Sequence, residues 1–220
     1  MGENIVFISY FCRLPDPQRR TFWKNNDFEK IKPLYDSVVR LGLSMIIFYD
    51  NFTDKFIQEH STEKIKFVKY KPKYNLLNSR WYCYLDYLES HYYDNILCID
   101  CCDAEVLENP FPFDSLIVGS EEGLIKNSEF VMSWFRRAYG MVHYPDKKIL
   151  NCGILGGNHS DMIAVLSKFK HESAGKENLN IDMAIFNRIL YDGFSFKTGY
   201  PIHTKFGRYE KNTDCYIRHK

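Results

Sequence analysis

The fold is decided by Asn95-Ile-Leu-Cys-Ile-Asp-Cys-Cys-Asp103, an apolar run that ends in two carboxylates. An uncharged run such as 95–99 is typical of a strand that is covered on both faces of a sheet. Asp100 and Asp103 follow it within one tight turn, and Glu105 comes two residues later. Because open α/β sheets place ligands beyond the carboxyl ends of their strands, the sequence predicts a ligand site at these acids.

Strands and helices alternate on the way to this stretch. The predicted elements are a strand at 4–9, a helix capped by Asn26 or Asp27 and ended by Gly42, strands at 43–49 and 65–70 around a short helix at 54–60, and a helix capped by Asn78 or Ser79. This order predicts a central, mostly parallel, twisted sheet flanked by helices.

The second half is less regular. It predicts a strand at 115–119, a helix capped by Ser128, a strand at 148–151 followed by a glycine-rich turn, helices at 160–170 and 181–191, and an extended segment at 194–206. The chain has no linker, repeat or low-complexity tract, so its 220 residues are expected to form one α/β domain.

Composition excludes several classes of function. The formal net charge is only +1, which gives no electrostatic argument for a nucleic-acid partner. No run approaches the roughly 20 apolar residues of a membrane span, and the first residues lack the features of a signal peptide. Seven cysteines without regular spacing favour reduced thiols. These features predict a cytoplasmic protein.

Cysteine and acid patterns suggest competing metal sites. Cys98 and Cys101 form one CxxC pair, but a zinc site needs further ligands and a thioredoxin-like site needs the pair at the start of a helix. The carboxylates of Asp100 and Asp103 are instead the hard ligands that suit Mg²⁺ or Mn²⁺ together with phosphate oxygens. The alternative is that these aspartates only cap the turn.

Several blocks, in order along the chain, resemble the nucleotide-sugar glycosyltransferases of GT-A fold. They are Ser79-Arg-Trp-Tyr-Cys-Tyr-Leu-Asp-Tyr-Leu88, Asp94-Asn-Ile-Leu-Cys-Ile-Asp-Cys-Cys-Asp103, Glu108-Asn-Pro-Phe111, Gly119-Ser-Glu-Glu122, Leu150-Asn-Cys-Gly-Ile-Leu-Gly-Gly157 and Asn180-Ile-Asp-Met-Ala-Ile-Phe-Asn187. In size the chain is similar to small glycosyltransferases of large DNA viruses, such as those of the chlorella viruses, which would place it in a host cytoplasm. The resemblance implies a single Rossmann-like domain over 1–220, with a nucleotide-binding half at about 1–105 and a sugar and acceptor half at about 106–220.

The resemblance also implies a metal site and a catalytic acid. Asp100 and Asp103 would bind Mn²⁺ or Mg²⁺, with His203 as a third ligand, although a histidine near a chain end is often a surface residue. Asp182 would act on the donor sugar or the acceptor hydroxyl, as a general base in an inverting enzyme. As the first residue of a predicted helix, Asp182 is alternatively a cap. Cys101-Cys102 and Ala104 depart from the usual pattern of the metal turn.

Donor-binding residues follow in the same way. The resemblance assigns the nucleobase and ribose to Ser9, Tyr10, Phe11 and Asp50, phosphate to Arg80, and the close approach of backbone to sugar to Asn151, Gly153, Gly156 and Gly157. Asp100 would also contact the donor. The alternatives are core packing for the two aromatic residues, a solvated surface position for Arg80 and a plain tight turn for the glycines.

The resemblance implies transfer of a hexose-type sugar from a nucleotide-sugar, UDP-linked by expectation, to a hydroxyl of a glycan or glycoprotein. A sugar-1-phosphate nucleotidyltransferase is an alternative, but it characteristically carries a glycine-rich loop after its first strand, where this chain has Ser9-Tyr-Phe-Cys-Arg-Leu-Pro-Asp16. A carbohydrate-binding or nucleotide-binding module of the same fold without turnover is another.

Overall fold

The computed structural model describes residues 3–16, 20–208, 210–211 and 213–219. Its strands are Asn4–Tyr10 (β1), Ser44–Tyr49 (β2), Ile65–Lys69 (β3), Asn95–Ile99 (β4), Ala104–Val106 (β5), Leu116–Leu124 (β6), Lys148–Asn158 (β7), Phe196–Lys197 (β8) and Ile217–His219 (β9). Its helices are Phe28–Arg40 (α1), Asp54–His60 (α2), Leu76–Leu88 (α3), Glu129–Tyr139 (α4), His159–Ser173 (α5) and Asp182–Gly193 (α6).

A seven-stranded sheet organises the molecule, in the order β3-β2-β1-β4-β7-β6-β8. Strands β1 to β4 are parallel, whereas β7 runs antiparallel to both β4 and β6. Every residue of β4 is buried, as its apolar run predicted. The predicted α/β class, with a mostly parallel sheet flanked by helices, is confirmed.

Two apolar cores cover the two faces of this sheet. One lies between the sheet and α3, α4, α5 and α6, and the other lies against α1 and α2. Alternate residues of β1 enter different cores, Phe7 the first and Ile8 the second, as the two-residue period of a strand requires. Cys98 and Cys101 are likewise divided between the cores, so the CxxC pair does not form a joint metal or redox site.

The helix before β4 begins earlier than the sequence suggested. Asn75 caps α3, since its side chain accepts a hydrogen bond from the N–H of Asn78 at 2.9 Å. The predicted cap at Asn78 or Ser79 is wrong because both side chains are buried inside the first turns. Asn78 donates from its amide to the carbonyls of Glu177 and Leu179, which joins α3 to the segment before α6.

The predicted glycine-rich turn is part of a strand. β7 continues through Gly156 and Gly157, which pair with Leu97 and Ile96 of β4. A side chain at Gly156 would come within 3.0 Å of Phe113, and one at Gly157 within 2.8 Å of Leu116. These two glycines therefore allow close packing on the sheet, and their predicted contact with a donor sugar is not what their surroundings favour.

The C-terminal region differs most from expectation. The predicted extended segment at 194–206 contains only the short strand β8, after which the chain turns at 199–202. β5 and β9 form a separate two-stranded sheet in which Ala104 pairs with His219. This pairing brings the end of the chain beside the acidic turn that follows β4.

Within the described residues, no helix combines the length and apolar character that crossing a bilayer requires.

Candidate active site

A cleft of about 590 Å³ opens where β1 and β4 end and where β7 passes beside β4. Its lining includes many of the residues that the sequence predicted to be functional. These are Ser9, Phe11, Arg80, Asp100, Asp103, Asn151, Gly153 and Asp182. The position of the cleft agrees with the rule that open α/β sheets place ligands at strand ends.

Three side chains at this cleft are arranged as a group of metal ligands. Asp100, Asp103 and His219 each offer one ligand atom, and these atoms lie within 4.8 Å of one another. Two carboxylates and one imidazole make a donor set that suits Mn²⁺, and Mg²⁺ is compatible with the carboxylates. The group comes from two distant parts of the chain, the turn after β4 and the last described strand.

The backbone fixes both parts of this group. The N–H of Asp100 donates to the carbonyl of Gly153 at 2.9 Å, which continues the β4–β7 ladder by one residue. On the other side, the N–H of His219 donates to Thr204 Oγ1 at 3.1 Å. Arg218 and Glu105 form an ion pair at 3.0 Å across β5 and β9. The third acid of the sequence motif, Glu105, therefore holds the strand register.

The imidazole of His219 carries the strongest indication of a ligand. His219 is 2% exposed, and its Nε2 atom has no hydrogen-bond partner among the described residues. This atom lies 3.8 Å from Asp100 Oδ2. A buried ring nitrogen without a partner costs roughly 1–3 kcal/mol, so burial here is compensated only when something binds it. The residues present thus fit a divalent cation.

Gly153 makes room for this arrangement. A Cβ atom at this position would overlap the ring of His219 and would lie 2.8 Å from Asp100 Oδ2. The N–H of Gly153 donates to Asn151 Oδ1 at 2.7 Å, and Asn151 Nδ2 donates to Glu121 Oε1 at 2.8 Å. The glycine is thus required by the side chains that surround it, and the predicted approach of its backbone to a sugar stays a prediction.

Arg80 links Asp100, Asp103 and His219, together called the metal-type group, to the predicted catalytic acid Asp182. Its guanidinium donates to Asp100 Oδ1 through Nη1 and lies 3.3 Å from Asp182 Oδ2 through Nη2. Its charge is therefore paired with two carboxylates, which corrects the alternative of a solvated surface position, and the predicted contact of Arg80 with phosphate stays a prediction. Stacking on the ring of Trp81, 4.3 Å away, holds the guanidinium plane in place.

The two acids that share Arg80 differ in their pKa shifts. Burial acts to raise the pKa of Asp100, but the positive charge of Arg80 and the neighbouring His219 hold that pKa below its ordinary value. Burial raises the pKa of Asp182, and Arg80 opposes this only in part. Asp182 is 2% exposed, and its Oδ1 atom has no hydrogen-bond partner among the described residues. Asp100 therefore favours the ionised form, and Asp182 holds a proton more readily.

His203 lies outside this group, which corrects its predicted role as a metal ligand. Its Nε2 accepts from the N–H groups of Ser120 and Gly199, each at 3.1 Å, and its Nδ1 donates to the carbonyl of Thr204 at 2.7 Å. Both ring nitrogens are thereby used by the backbone. His219 was not predicted from the sequence, because Arg218-His219 carries no signal beyond the residue type.

Tyr10 and Asp50 also lie behind the cleft. The Tyr10 hydroxyl donates to the carbonyl of Lys24 at 2.7 Å, and its ring is fully buried. Asp50 accepts from the N–H groups of Cys12 and Arg13, both at 2.9 Å. These two residues shape the segment that follows β1, which corrects their predicted direct contact with a nucleotide.

Other residues of the lining were not singled out from the sequence. They include Asp16, Trp23, Lys30, Glu121, Phe130, Trp134, Met183 and Phe206. Most lie in irregular segments or at helix starts, where periodicity gives no information about which way a side chain points.

Comparison with known proteins supports the fold. No family model matches the chain, and no curated protein matches it in sequence. Among solved structures it is similar to WbbM, a bifunctional glycosyltransferase in its apo form, with a TM-score of 0.62 and 13% sequence identity. The match covers 99% of this chain and 45% of that one, so the chain spans less than half of its structural neighbour. The likeness concerns the fold, and the resemblance to viral enzymes stays a prediction from the sequence.

Proposed function

We propose that the chain is a metal-dependent glycosyltransferase that takes a nucleotide-sugar donor, UDP-linked by expectation, and transfers a hexose-type sugar to a hydroxyl of a glycan or glycoprotein. The observation that carries the proposal is the buried Nε2 of His219, which has no hydrogen-bond partner among the described residues and lies beside Asp100 and Asp103 at the strand ends. The shared fold with a glycosyltransferase supports it.

In this proposal the chain's own residues divide the work. Asp100, Asp103 and His219 hold Mn²⁺ or Mg²⁺. The cation, when bound, neutralises negative charge on the departing nucleoside diphosphate. Ser9 and Phe11, at the end of β1 and inside the cleft, take the nucleoside side of the donor. Asn151 and the backbone of Gly153 face the sugar.

Asp182 is the proposed catalytic residue. A carboxylate whose pKa is raised by burial is a better base near neutral pH than an exposed one. Arg80 orients this acid and Asp100 with one guanidinium, so it is a positioning residue in the same proposal. Its two ion pairs keep the acid and the metal-type group at a fixed separation.

A screen of nucleotide-sugars for release of UDP or GDP tests the proposal, with Mn²⁺, with Mg²⁺ and with EDTA. We expect release to require the cation. Asp103→Asn should lower it by about 100-fold or more, because stabilisation of the leaving group by a metal contributes several kcal/mol. Asp146→Asn is the matched control, since Asp146 pairs with Lys126 on the surface and its side chain is 76% exposed.

Other outcomes assign the chain to the alternative classes. Full activity in EDTA would overturn the metal-dependent mechanism. Release of pyrophosphate from a nucleoside triphosphate and a sugar-1-phosphate would identify a nucleotidyltransferase. Metal-dependent binding of UDP by calorimetry, without turnover of any donor in the screen, would identify a binding module that has kept the fold.

A further inference from the structure

An exposed aromatic side chain stands at the edge of the cleft on the β6 side. Phe130, in the first turn of α4, lines the cleft and is 53% exposed. A phenylalanine this exposed contributes little to the core. Ligand sites are commonly lined by aromatic side chains beside a few polar groups, and both Phe130 and its ring neighbour Trp134 line this cleft.

Phe130 is supported on one side by the core. Its ring lies on the indole of Trp134, with 4.2 Å between the ring centroids and an angle of 52°. Trp134 is 2% exposed and belongs to the core between the sheet and α4. The start of the helix is fixed by Ser128, whose side chain accepts from the N–H of Val131. The ring therefore rests on a buried neighbour, which reduces the conformational entropy that ligand binding would cost.

The position of this surface relative to the donor follows from the strand order. β4 lies between β1 and β7, so the acidic turn after β4 separates the two ends of the cleft. The proposed nucleoside side lies after β1, at Ser9 and Phe11. Phe130 comes from α4, which follows β6 on the far side. The aromatic surface therefore lies on the opposite side of the metal-type group from the proposed nucleoside side, in the part of the cleft that is left for the second substrate.

Charge on this side of the cleft selects among second substrates. Among the described lining residues, the charged ones on β6 and on the helices that share the core of α4 are Glu121, Asp182 and Arg80, and the guanidinium of Arg80 is already engaged by Asp100 and Asp182. Lys30 also lines the cleft, but it belongs to α1 on the opposite face of the sheet and its Nζ lies 4.3 Å from the ring centroid of Trp23. An anionic acceptor would meet two carboxylates without a free cation. A neutral acceptor with hydroxyl groups would instead find carboxylate oxygens that accept hydrogen bonds.

We infer that Phe130, supported by Trp134, is a stacking surface for the pyranose ring of a neutral sugar acceptor. The inference rests on the proposed glycosyltransferase function and narrows its acceptor. The C–H groups on one face of a pyranose carry partial positive charge and match the negative face of an aromatic ring. The hydroxyls on its edge reach the carboxylate of Glu121, while Asp182 faces the reacting hydroxyl.

Kinetics with a panel of simple acceptors tests this. The probes are methyl glycosides of neutral hexoses, a sugar phosphate and a peptide containing serine and threonine. We expect transfer to at least one neutral glycoside. Phe130→Ala should raise its KM roughly three- to tenfold, with a smaller change in kcat, because one aromatic contact contributes about 0.5–1.5 kcal/mol. Phe130→Trp should keep a low KM, and Phe130→Leu, apolar but without a ring, should behave like alanine.

Tyr92→Ala is the matched control, because Tyr92 is 73% exposed and is not among the residues that line the cleft. An unchanged KM in Phe130→Ala, equal rescue by leucine, or transfer to the peptide or the sugar phosphate in place of every methyl glycoside would overturn the inference. Metal-dependent donor hydrolysis by the wild-type protein, measured without acceptor, distinguishes failure of the acceptor inference from failure of the proposed glycosyltransferase function. If that hydrolysis occurs alongside any of these results, the proposed function stands. The absence of both this hydrolysis and transfer to every acceptor would remove the proposed function itself.

Discussion

Two histidines near the end of the chain are almost equally buried and yet differ in what surrounds them. His203 is 5% exposed and His219 is 2% exposed. The ring of His203 accepts two backbone N–H groups and donates to a carbonyl, so its hydrogen-bonding capacity is used by the fold. The Nε2 of His219 has no partner in the described part of the chain and lies beside two aspartates. Burial alone does not separate a structural histidine from a candidate ligand, whereas the number of satisfied ring atoms does.

The same comparison extends to the segments that carry the two rings. The turn at 199–204 wraps around His203, and β6 supplies one of its hydrogen bonds through Ser120. His219 is placed by a three-residue strand whose partner, β5, begins directly after Asp103. The first segment uses its histidine to hold itself on the sheet. In the second segment, pairing of β9 with β5 places His219 beside the acidic turn.

The largest expected effect comes from His219→Ala. If His219 holds the cation, this change should weaken Mn²⁺ binding and lower metal-dependent donor hydrolysis by about 100-fold at limiting metal. Loss of a residue that only orients a metal ligand typically costs about 10–100-fold in metal affinity or activity, and loss of a ligand itself should cost at least as much. Metal titrations of donor hydrolysis measure it. His171→Ala, at an exposed position near the end of α5, is the control. Wild-type metal affinity in His219→Ala would exclude this residue from the site.

A smaller effect is expected from Gly153→Ala, which leaves all three ligands in place. The added Cβ would overlap the His219 ring, so the ring or β7 must move. We expect about tenfold or greater loss of metal affinity together with roughly 1–3 kcal/mol of destabilisation, the usual cost of overpacking.

Gly193→Ala at the end of α6 is the matched control, because its Cβ would meet only the flexible end of Lys168, at 3.2 Å. Denaturant unfolding of both variants, measured with metal titrations, tests this expectation. Unchanged metal affinity in Gly153→Ala would show that the closeness of Gly153 to His219 is unimportant for the site.

The fold was predictable where local pattern and burial agree. The uncharged run at 95–99 and the alternation before it indicated β4 and the parallel half of the sheet, because a strand covered on both faces leaves a continuous apolar signal. The position of Asp100 and Asp103, directly after the carboxyl end of β4, followed from the same argument. Gly156 and Gly157 were misread because glycine favours turns locally, whereas here it accommodates Phe113 and Leu116 against a strand.

The candidate ligand His219 was beyond such reasoning. β5 and β9 contain three residues each, too few for any period to emerge, and their pairing joins positions more than a hundred residues apart. Ala104, which departs from the expected metal-turn pattern, is the residue that pairs with His219. The double ion pair of Arg80 was equally unpredictable, since it depends on the tertiary structure bringing Asp182, at the start of α6, close to Asp100, which follows β4.

The smallest effect concerns stability and pH, through His203→Gln. Burial lowers the pKa of His203, and the hydrogen bond to Thr204 opposes this only in part. As the pH falls below about 6.5, the ordinary histidine pKa, the unfolded chain therefore takes up a proton before the folded protein does. The contribution of His203 to stability is present above that pH and is lost as the pH falls toward the folded-state pKa. Urea unfolding at about pH 7.5 and about pH 5.5 should show a smaller decrease in the variant than in the wild type.

At the higher pH the variant should be about 1–3 kcal/mol less stable, because glutamine does not reproduce the three ring contacts, while its metal affinity should stay at the wild-type value. His171→Gln, at an exposed site, controls for the loss of a histidine as such. Equal pH dependence in His203→Gln and the wild type would contradict a buried, neutral His203. A loss of metal affinity in His203→Gln, with His219 intact, would reverse the roles assigned to the two histidines.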